Sequence, residues 1–174
     1  YGAYSLHHRH YPLYYDQRVE GTNEAMRILY LTQLFSSAHG GGEYLFSMWA
    51  KEFSKRGHRV FVICQRVEGM KDEMGSEGGV SVIALPPAMR YRAGLPPSIR
   101  HNLLFLIVGS LFGVRIVSDK GIDIIHSNSF TPIFAGVIIA LFTHRPHIAT
   151  VHDVLSVHGE RYWRLWSKQS GVSR

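Results

Sequence analysis

The sequence has few of the features that would assign a protein to a class at once. Cys64 is the only cysteine among 174 residues, which excludes an internal disulfide framework and favours a reducing compartment. Residues 1–25 contain no apolar stretch of the kind found in signal peptides, and their acidic residues argue against a mitochondrial presequence. We therefore expect a cytoplasmic protein.

Long hydrophobic runs are also lacking. Leu103 to Val114 carries no charge and Pro132 to Phe142 is nearly as apolar, but both fall short of the roughly 18 residues that span a bilayer. We predict that both are buried crossover helices. Because Arg100 and Arg115 flank the first run, we also expect that helix to meet an anionic membrane surface.

Acidic residues are fewer than basic ones, 13 against 19, so the formal charge is +6 and anionic partners are favoured. No nucleic-acid-binding module is recognisable, and we predict no nucleic-acid partner. The hydrophobic content of 45% and the length indicate one globular domain with a sizeable core. Residues 1–25 show no periodic apolar face, so we expect a poorly ordered extension there and a domain at 26–174.

Apolar runs and helical patterns alternate from Met26 onward. Strands are predicted at 26–33, 59–64, 80–85, 122–127 and 147–151, and helices at 41–56, 98–118, 131–143 and 158–169. This alternation indicates an α/β fold, a Rossmann-like three-layer sandwich with a mostly parallel sheet. The loops expected to converge at the carboxyl edge of the sheet, where ligands bind, are Ser36 to Glu43, Pro86 to Pro97, and the turns after His126 and His152.

Three glycines, Gly40 to Gly42, open the first helix shortly after the first strand. Glycines let backbone N–H groups approach a ligand, and a helix start offers unpaired N–H groups and the positive end of the dipole. A dinucleotide fingerprint would need a third glycine where Leu45 stands and an acid where the second strand ends at Cys64-Gln65. No Walker loop is present either. The turn therefore suits an anion or a sugar other than NAD or ATP.

Five short motifs follow one another along the chain: Met26 to Thr32, Gly41-Gly42-Glu43, Arg56 to Val60, Asp123 to Asn128, and Thr150-Val151-His152-Asp153. In this order they resemble the amino-terminal domain of glycosyltransferase family 4, retaining enzymes of the GT-B fold. The resemblance implies transfer of a sugar from a nucleotide-diphosphate donor to a sugar, polysaccharide or lipid-linked acceptor, without a metal or a cofactor. It also implies a second, nucleotide-binding domain with a spaced pair of glutamates that this chain lacks, so we expect the chain alone to be inactive.

The resemblance assigns roles to particular residues. His152 would contact the transferred sugar as a catalytic residue, unless it is a core or capping histidine. Asp153 would bind a sugar hydroxyl or cap the following helix. His126 is expected to pack rather than react. Five further residues would bind the donor phosphate or the acceptor: Gly41, Gly42, Glu43, Asn128 and Arg90.

Two other functions fit the same pattern. A non-enzymatic α/β ligand-binding module would carry the same turn and the same sheet. A sugar-nucleotide epimerase or dehydrogenase would need a Tyr-x-x-x-Lys pair, and no tyrosine in this chain has a lysine four residues further on.

Overall fold

A computed structural model describes residues 24–35, 42–68, 79–90, 97–151 and 168, with the backbone alone for Gly42 and Glu43. Several predictions fall outside these residues: most of the extension at 1–25, the turn at 36–41, the middle of the loop from Pro86 to Pro97, and the helix at 158–169 apart from Lys168.

Strands and helices alternate as the sequence predicts. In chain order they are β1 (Arg27–Leu31), α1 (Gly42–Lys55), β2 (Arg59–Val67), β3 (Val80–Met89), α2 (Ile99–Leu104), a π-helical turn (Phe105–Gly109), α3 (Ser110–Lys120), β4 (Ile124–Asn128), α4 (Phe130–Thr143) and β5 (His147–Thr150). The segments from α2 to α3 form one continuous helix of 22 residues, Ile99–Lys120, which we call the long helix. All five strands and the three helices predicted within the described residues are confirmed.

The five strands form one sheet in the order β3-β2-β1-β4-β5, and every neighbouring pair is parallel. The predicted Rossmann-like α/β fold is therefore correct. The chain moves from β1 outward to β3 and then returns to the other side of β1 to add β4. Such a reversal opens a crevice at the carboxyl ends of β1 and β4, which is where ligands bind in open α/β sheets.

Two cores cover the two faces of the sheet, and β1 shows why. Successive side chains of a strand point to opposite faces. Ile28 and Tyr30 therefore pack with Phe46 of α1 on one face, while Leu29 and Leu31 pack with the long helix and α4 on the other. Burial on both faces explains why the strands read as continuous apolar runs.

The edge strand β3 is longer than predicted. The proline pair at Pro86 indicated a loop, but the strand continues to Met89, because an edge strand tolerates residues that cannot donate to a ladder. Buried Gln65 of β2 lies where the pairing register between β2 and β3 shifts. Its Nε2 donates to the carbonyl oxygens of Leu85 and Pro87, at 2.9 and 2.5 Å.

The prediction that both apolar helices are buried is only half right. One side of the long helix and of α4 packs on the sheet, through residues such as Phe105 and Ile139. The outer side is exposed, and a third (33%) of the apolar window of the long helix is buried. Judged by length and composition alone, the long helix is long and apolar enough to cross a membrane. A sheet face can bury only one side of each helix that lies on it, so hydrophobicity alone does not determine exposure.

Residues of three sequence motifs close the amino edge of the sheet, opposite the crevice. The Arg27 backbone N–H donates to Asp123 Oδ2 at 2.7 Å, and the Arg27 guanidinium donates to the Lys120 carbonyl at 3.1 Å. The Met26 backbone N–H donates to His58 Nδ1 at 3.1 Å. Asp123 and His58 therefore satisfy backbone groups at the start of β1, and their position separates them from any ligand at the other edge.

Candidate functional site

The crevice is bounded on one side by the end of β4. Asn128, 2% exposed, pairs in register with Thr150 of β5, and its Oδ1 accepts a hydrogen bond from Ser129 Oγ at 3.0 Å. Ser129 has a φ of 66°, in the left-handed region that non-glycine residues seldom adopt. Its backbone N–H donates to the Thr150 carbonyl at 3.2 Å, which ties the start of α4 to the end of β5.

The start of α1 is the second boundary of the site. The helix begins at Gly42 and runs for 14 residues, so its first backbone N–H groups have no partner within the helix pattern and carry the positive end of its dipole. Gly41 and the side chain of Glu43 lie outside the described residues. So do His152 and Asp153, which follow the end of β5 at Thr150.

Arg90 lies at the same edge of the sheet but far from Asn128. It follows β3, and its Nε donates to Glu68 Oε2 at 3.2 Å in an ion pair whose side chains are 75% and 54% exposed. Such exposed pairs contribute little to stability. Because β2 and β1 lie between β3 and β4, three strand spacings of about 4.8 Å each separate Arg90 from Asn128 across the sheet. The structure does not bring these two candidates together.

A polar cluster centred on Asn102 joins three elements beside the crevice. Asn102 Oδ1 accepts hydrogen bonds from Gln33 Nε2, just after β1, and from Thr131 Oγ1 of α4 at 2.7 Å. Asn102 Nδ2 donates to the Pro97 carbonyl at 2.9 Å, at the start of the long helix. Sequence reasoning missed this cluster. The available signal was weak: each residue is a half-buried amide or hydroxyl next to a predicted boundary of an element.

His126 lies within an aromatic group, as its expected packing role requires. Its ring centroid is 4.9 Å from that of Tyr30, 5.0 Å from Phe46 and 6.0 Å from Trp49, and its Nε2 lies 2.8 Å from Thr150 Oγ1. The Tyr30 hydroxyl is buried without a hydrogen-bond partner in the described part of the chain. Burial raises the pKa of Tyr30 well above its ordinary value, so the phenol stays neutral.

A second histidine belongs to the opposite face of the sheet. His147 Nε2 lies 2.6 Å from Ser127 Oγ, and the ring packs against Gly136 of α4 so closely that a side chain there would collide with it. Burial lowers the pKa of His147.

Burial raises the pKa of the Cys64 thiol to about 12, so this thiol is unreactive.

The lowered pKa of His147 makes stability depend on pH. The unfolded chain binds a proton near the ordinary histidine pKa of about 6.5, whereas the folded chain resists it, so the free energy of unfolding should fall as pH drops below that value. We expect His147→Gln to weaken this dependence and His144→Asn, at an exposed position that asparagine tolerates, to leave it unchanged. Urea unfolding from about pH 8 to about pH 5 measures it. Equal slopes for all three proteins would contradict the assignment.

No resident metal site is visible in the part of the chain that the structure describes: no three histidine, cysteine, aspartate or glutamate side chains cluster there. The site instead offers the N–H groups at the start of α1 and the polar end of β4. Backbone donors of this kind bind an anion or sugar oxygens through hydrogen bonds and the helix dipole.

An open parallel sheet with a glycine-led helix at its switch point defines a Rossmann-like α/β ligand-binding domain. The particular family follows from the sequence match. The profile of Glycosyltransferase Family 4 matches residues 39–173, and the chain belongs to this family.

One solved structure supports the fold. The crystal structure of a glycosyltransferase from Rickettsia africae matches with a TM-score of 0.50 and 19% identity, over 75% of this chain and 30% of that one. A second match, the glycotransferase of kitacinnamycin, has a TM-score of 0.43 and 15% identity, over 85% of this chain and 41% of that one. The chain thus spans less than half the length of either structure. No curated protein matches it.

Proposed function

We propose that the chain is the amino-terminal, acceptor-side half of a retaining glycosyltransferase that uses a nucleotide-diphosphate sugar. The observation that carries the proposal is the start of α1 at Gly42, at the carboxyl edge of the sheet, in a chain that matches the family over residues 39–173. The glycines before α1 leave its backbone N–H groups open to a ligand, which a turn of purely structural role does not need. The proposed nucleotide-binding half follows Arg174 in a longer protein.

The chemistry of transfer suits a backbone site. The bond between the anomeric carbon and the donor phosphate oxygen breaks, and negative charge develops on the departing diphosphate. The acceptor hydroxyl oxygen bonds to the anomeric carbon, and its proton passes to the diphosphate. N–H groups of Gly41 and Gly42 aimed at that charge stabilise the transition state. In this proposal His152 contacts the transferred sugar and Asp153 binds one of its hydroxyls. No metal or cofactor has a role.

The acceptor in this proposal is a sugar, a polysaccharide or a lipid-linked sugar. Asn128 and the side chain of Glu43 contribute to its binding, and Arg90 contacts an outlying part of it, since it lies three strands from Asn128. The protein works in the cytoplasm, where nucleotide sugars are available, and at an anionic inner membrane face when the acceptor is lipid-linked.

Sugar transfer is tested by comparing the 174-residue chain with the longer protein. We expect transfer from nucleotide-diphosphate sugars by the longer protein and none by the chain alone, because the nucleotide is then bound from one side only. Anomeric configuration, determined by NMR of the product, tests retention. Robust transfer by the chain alone would contradict the proposal that sugar transfer needs the nucleotide-binding half.

The two alternative functions give different results in the same assays. A ligand-binding module would bind sugar without turnover, even in the longer protein. A dehydrogenase or epimerase would bind NADH, which the absent third glycine and the absent ribose acid should prevent. A saturable fluorescence change with a micromolar dissociation constant for NADH would therefore favour a dehydrogenase or epimerase over the proposed function.

A further inference from the structure

We propose that the outer surface of the long helix and α4 inserts into the boundary between the headgroups and hydrocarbon of a lipid bilayer. We call this surface the helix face. The inference deepens the proposed function, on which it rests for a membrane-linked acceptor, but it replaces electrostatic attachment by hydrophobic insertion.

The helix face is strongly apolar although it is exposed. The two helices lie side by side on one face of the sheet and share its core. Six of their apolar side chains are 54–74% exposed: Leu103, Ile107, Leu111, Phe134, Leu141 and Phe142. Single exposed hydrophobic residues are normal, but six on two helices that contact each other mark an interaction surface.

Charge is confined to the ends of the helix face. The long helix carries no Asp, Glu, Lys or Arg between Arg100 and Arg115, a length of about 21 Å at the usual rise of 1.5 Å per residue. α4 has no charged residue at all, and Arg145 follows it. Arg115 is paired with Asp119 at 3.3 Å at one end, and the basic residues at the ends outnumber this single acid, which suits phosphate headgroups above a hydrocarbon layer.

The hydroxyl groups of the two helices are satisfied within the protein. Ser110, Ser118 and Thr143 each donate to the carbonyl four residues earlier in their own helix, at 2.5, 3.1 and 2.7 Å. Thr131, the fourth hydroxyl, donates to Asn102. The helix face therefore presents no hydroxyl that needs a partner. Contact with hydrocarbon requires such internal hydrogen bonding, whereas contact with a protein partner does not.

α1, on the opposite face of the sheet, provides an internal contrast. Its outer surface combines exposed Tyr44 and Met48 with an exposed ion pair between Glu52 and Arg56, which follows the helix. That mixture is typical of a solvated helix. Protein interfaces are also mixed, with Tyr, Trp and Arg and with about one hydrogen bond per 100–200 Å². Between its basic ends the helix face has no Tyr, Trp or Arg and no hydroxyl without a partner, which favours lipid over a protein partner.

The long helix lies on the membrane rather than across it. Its two ends connect β3 and β4, which are parallel strands of one sheet, and its inner side packs on that sheet. A transmembrane orientation would carry the sheet, with buried polar residues such as Gln65 and Asn128, into the bilayer. Burial of the outer side alone corresponds to interfacial binding.

Vesicle sedimentation of the longer protein tests the proposal. We expect binding to phosphatidylcholine vesicles alone and retention of that binding at high salt. Since each large apolar side chain contributes about tenfold to partitioning, Leu141→Gln/Phe142→Gln should lower the partition coefficient about 100-fold. The matched control, Tyr44→Gln/Met48→Gln, removes two exposed apolar residues from α1 and should change it less than about twofold.

A site-specific probe gives a second readout that does not depend on those substitutions. Cys64 is buried, so a cysteine introduced at Phe142 would take an environment-sensitive fluorophore selectively. The fluorophore should shift to the blue on addition of phosphatidylcholine vesicles, whereas the same label at Tyr44→Cys should not shift. Both readouts need no sugar donor, so they remain informative if sugar transfer itself is disproved.

Three results would overturn the inference. The first is absence of vesicle binding. The second is binding that needs phosphatidylglycerol, is released by salt and is abolished by Arg100→Gln/Lys120→Gln but not by the variant at 141 and 142. The third is dimerisation through the helix face, seen by sedimentation equilibrium as a dimer that the same variant converts to a monomer.

Discussion

In the longer protein, His152→Ala should lower kcat about 100-fold or more while the melting temperature stays close to that of the unaltered protein. A histidine that contacts the transferred sugar acts mainly in the transition state, and removal of one such contact costs on the order of 10²-fold in rate. The measurement is steady-state transfer from the nucleotide sugar, alongside thermal unfolding of the same preparation.

The comparison with a second histidine separates catalysis from general damage. His144, exposed at the end of α4, lies away from the crevice, so His144→Asn should retain nearly full kcat. A parallel loss of melting temperature and activity in His152→Ala would identify a core histidine instead. Retention of kcat would remove His152 from the reaction centre.

The fold was predictable because its signals are local. Each of the five strands is a short apolar run, and α1 is bounded by glycines at Gly42 and Gly57, the second with a φ of 89°. β3 was predicted too short because proline pairs interrupt most strands. Prolines are tolerated in β3 because it lies at the edge of the sheet. That position depends on pairing with β2, and the local sequence does not specify it.

Apolar composition did not predict which side of a helix is buried. The long helix and α4 are hydrophobic nearly all round, so the sequence offers no polar side from which to infer exposure. In the structure, Phe105 lies in the core and Ile107 is exposed, two positions apart in one uncharged run. The sheet has one face for these helices, and packing geometry decides which side chains reach it.

The site was only partly predictable, for a related reason. The glycine turn and Asn128 stand next to predicted strand ends, so their place at the carboxyl edge follows from the order of elements. The hydrogen bonds of Asn102 connect residues 69 and 29 positions away, and no local pattern specifies such pairs. The motif residues His58 and Asp123 show the opposite case, because their contacts at the amino edge explain them without a ligand.

Replacement of Asn102 by leucine should produce the largest loss of stability among substitutions at the crevice. Leucine has a similar size but removes the acceptor used by Gln33 and Thr131 and the donor to the Pro97 carbonyl. A hydrogen bond contributes about 0.5–1.5 kcal/mol net, and a buried group left without a partner costs about 1–3 kcal/mol. Three lost hydrogen bonds between half-buried groups therefore predict a decrease of about 2–4 kcal/mol in the free energy of unfolding.

Graded variants test whether Asn102 is the centre of the cluster. Thr131→Val removes one hydrogen bond and should cost about 1 kcal/mol. Asn102→Asp keeps the acceptor for Gln33 and Thr131 but loses the donor to Pro97, so its cost should lie between those of the other two variants. Urea unfolding of the three proteins gives the series. If Asn102→Leu were no less stable than Thr131→Val, the three elements would be held at the crevice by apolar packing, and the polar cluster would have no part in positioning them.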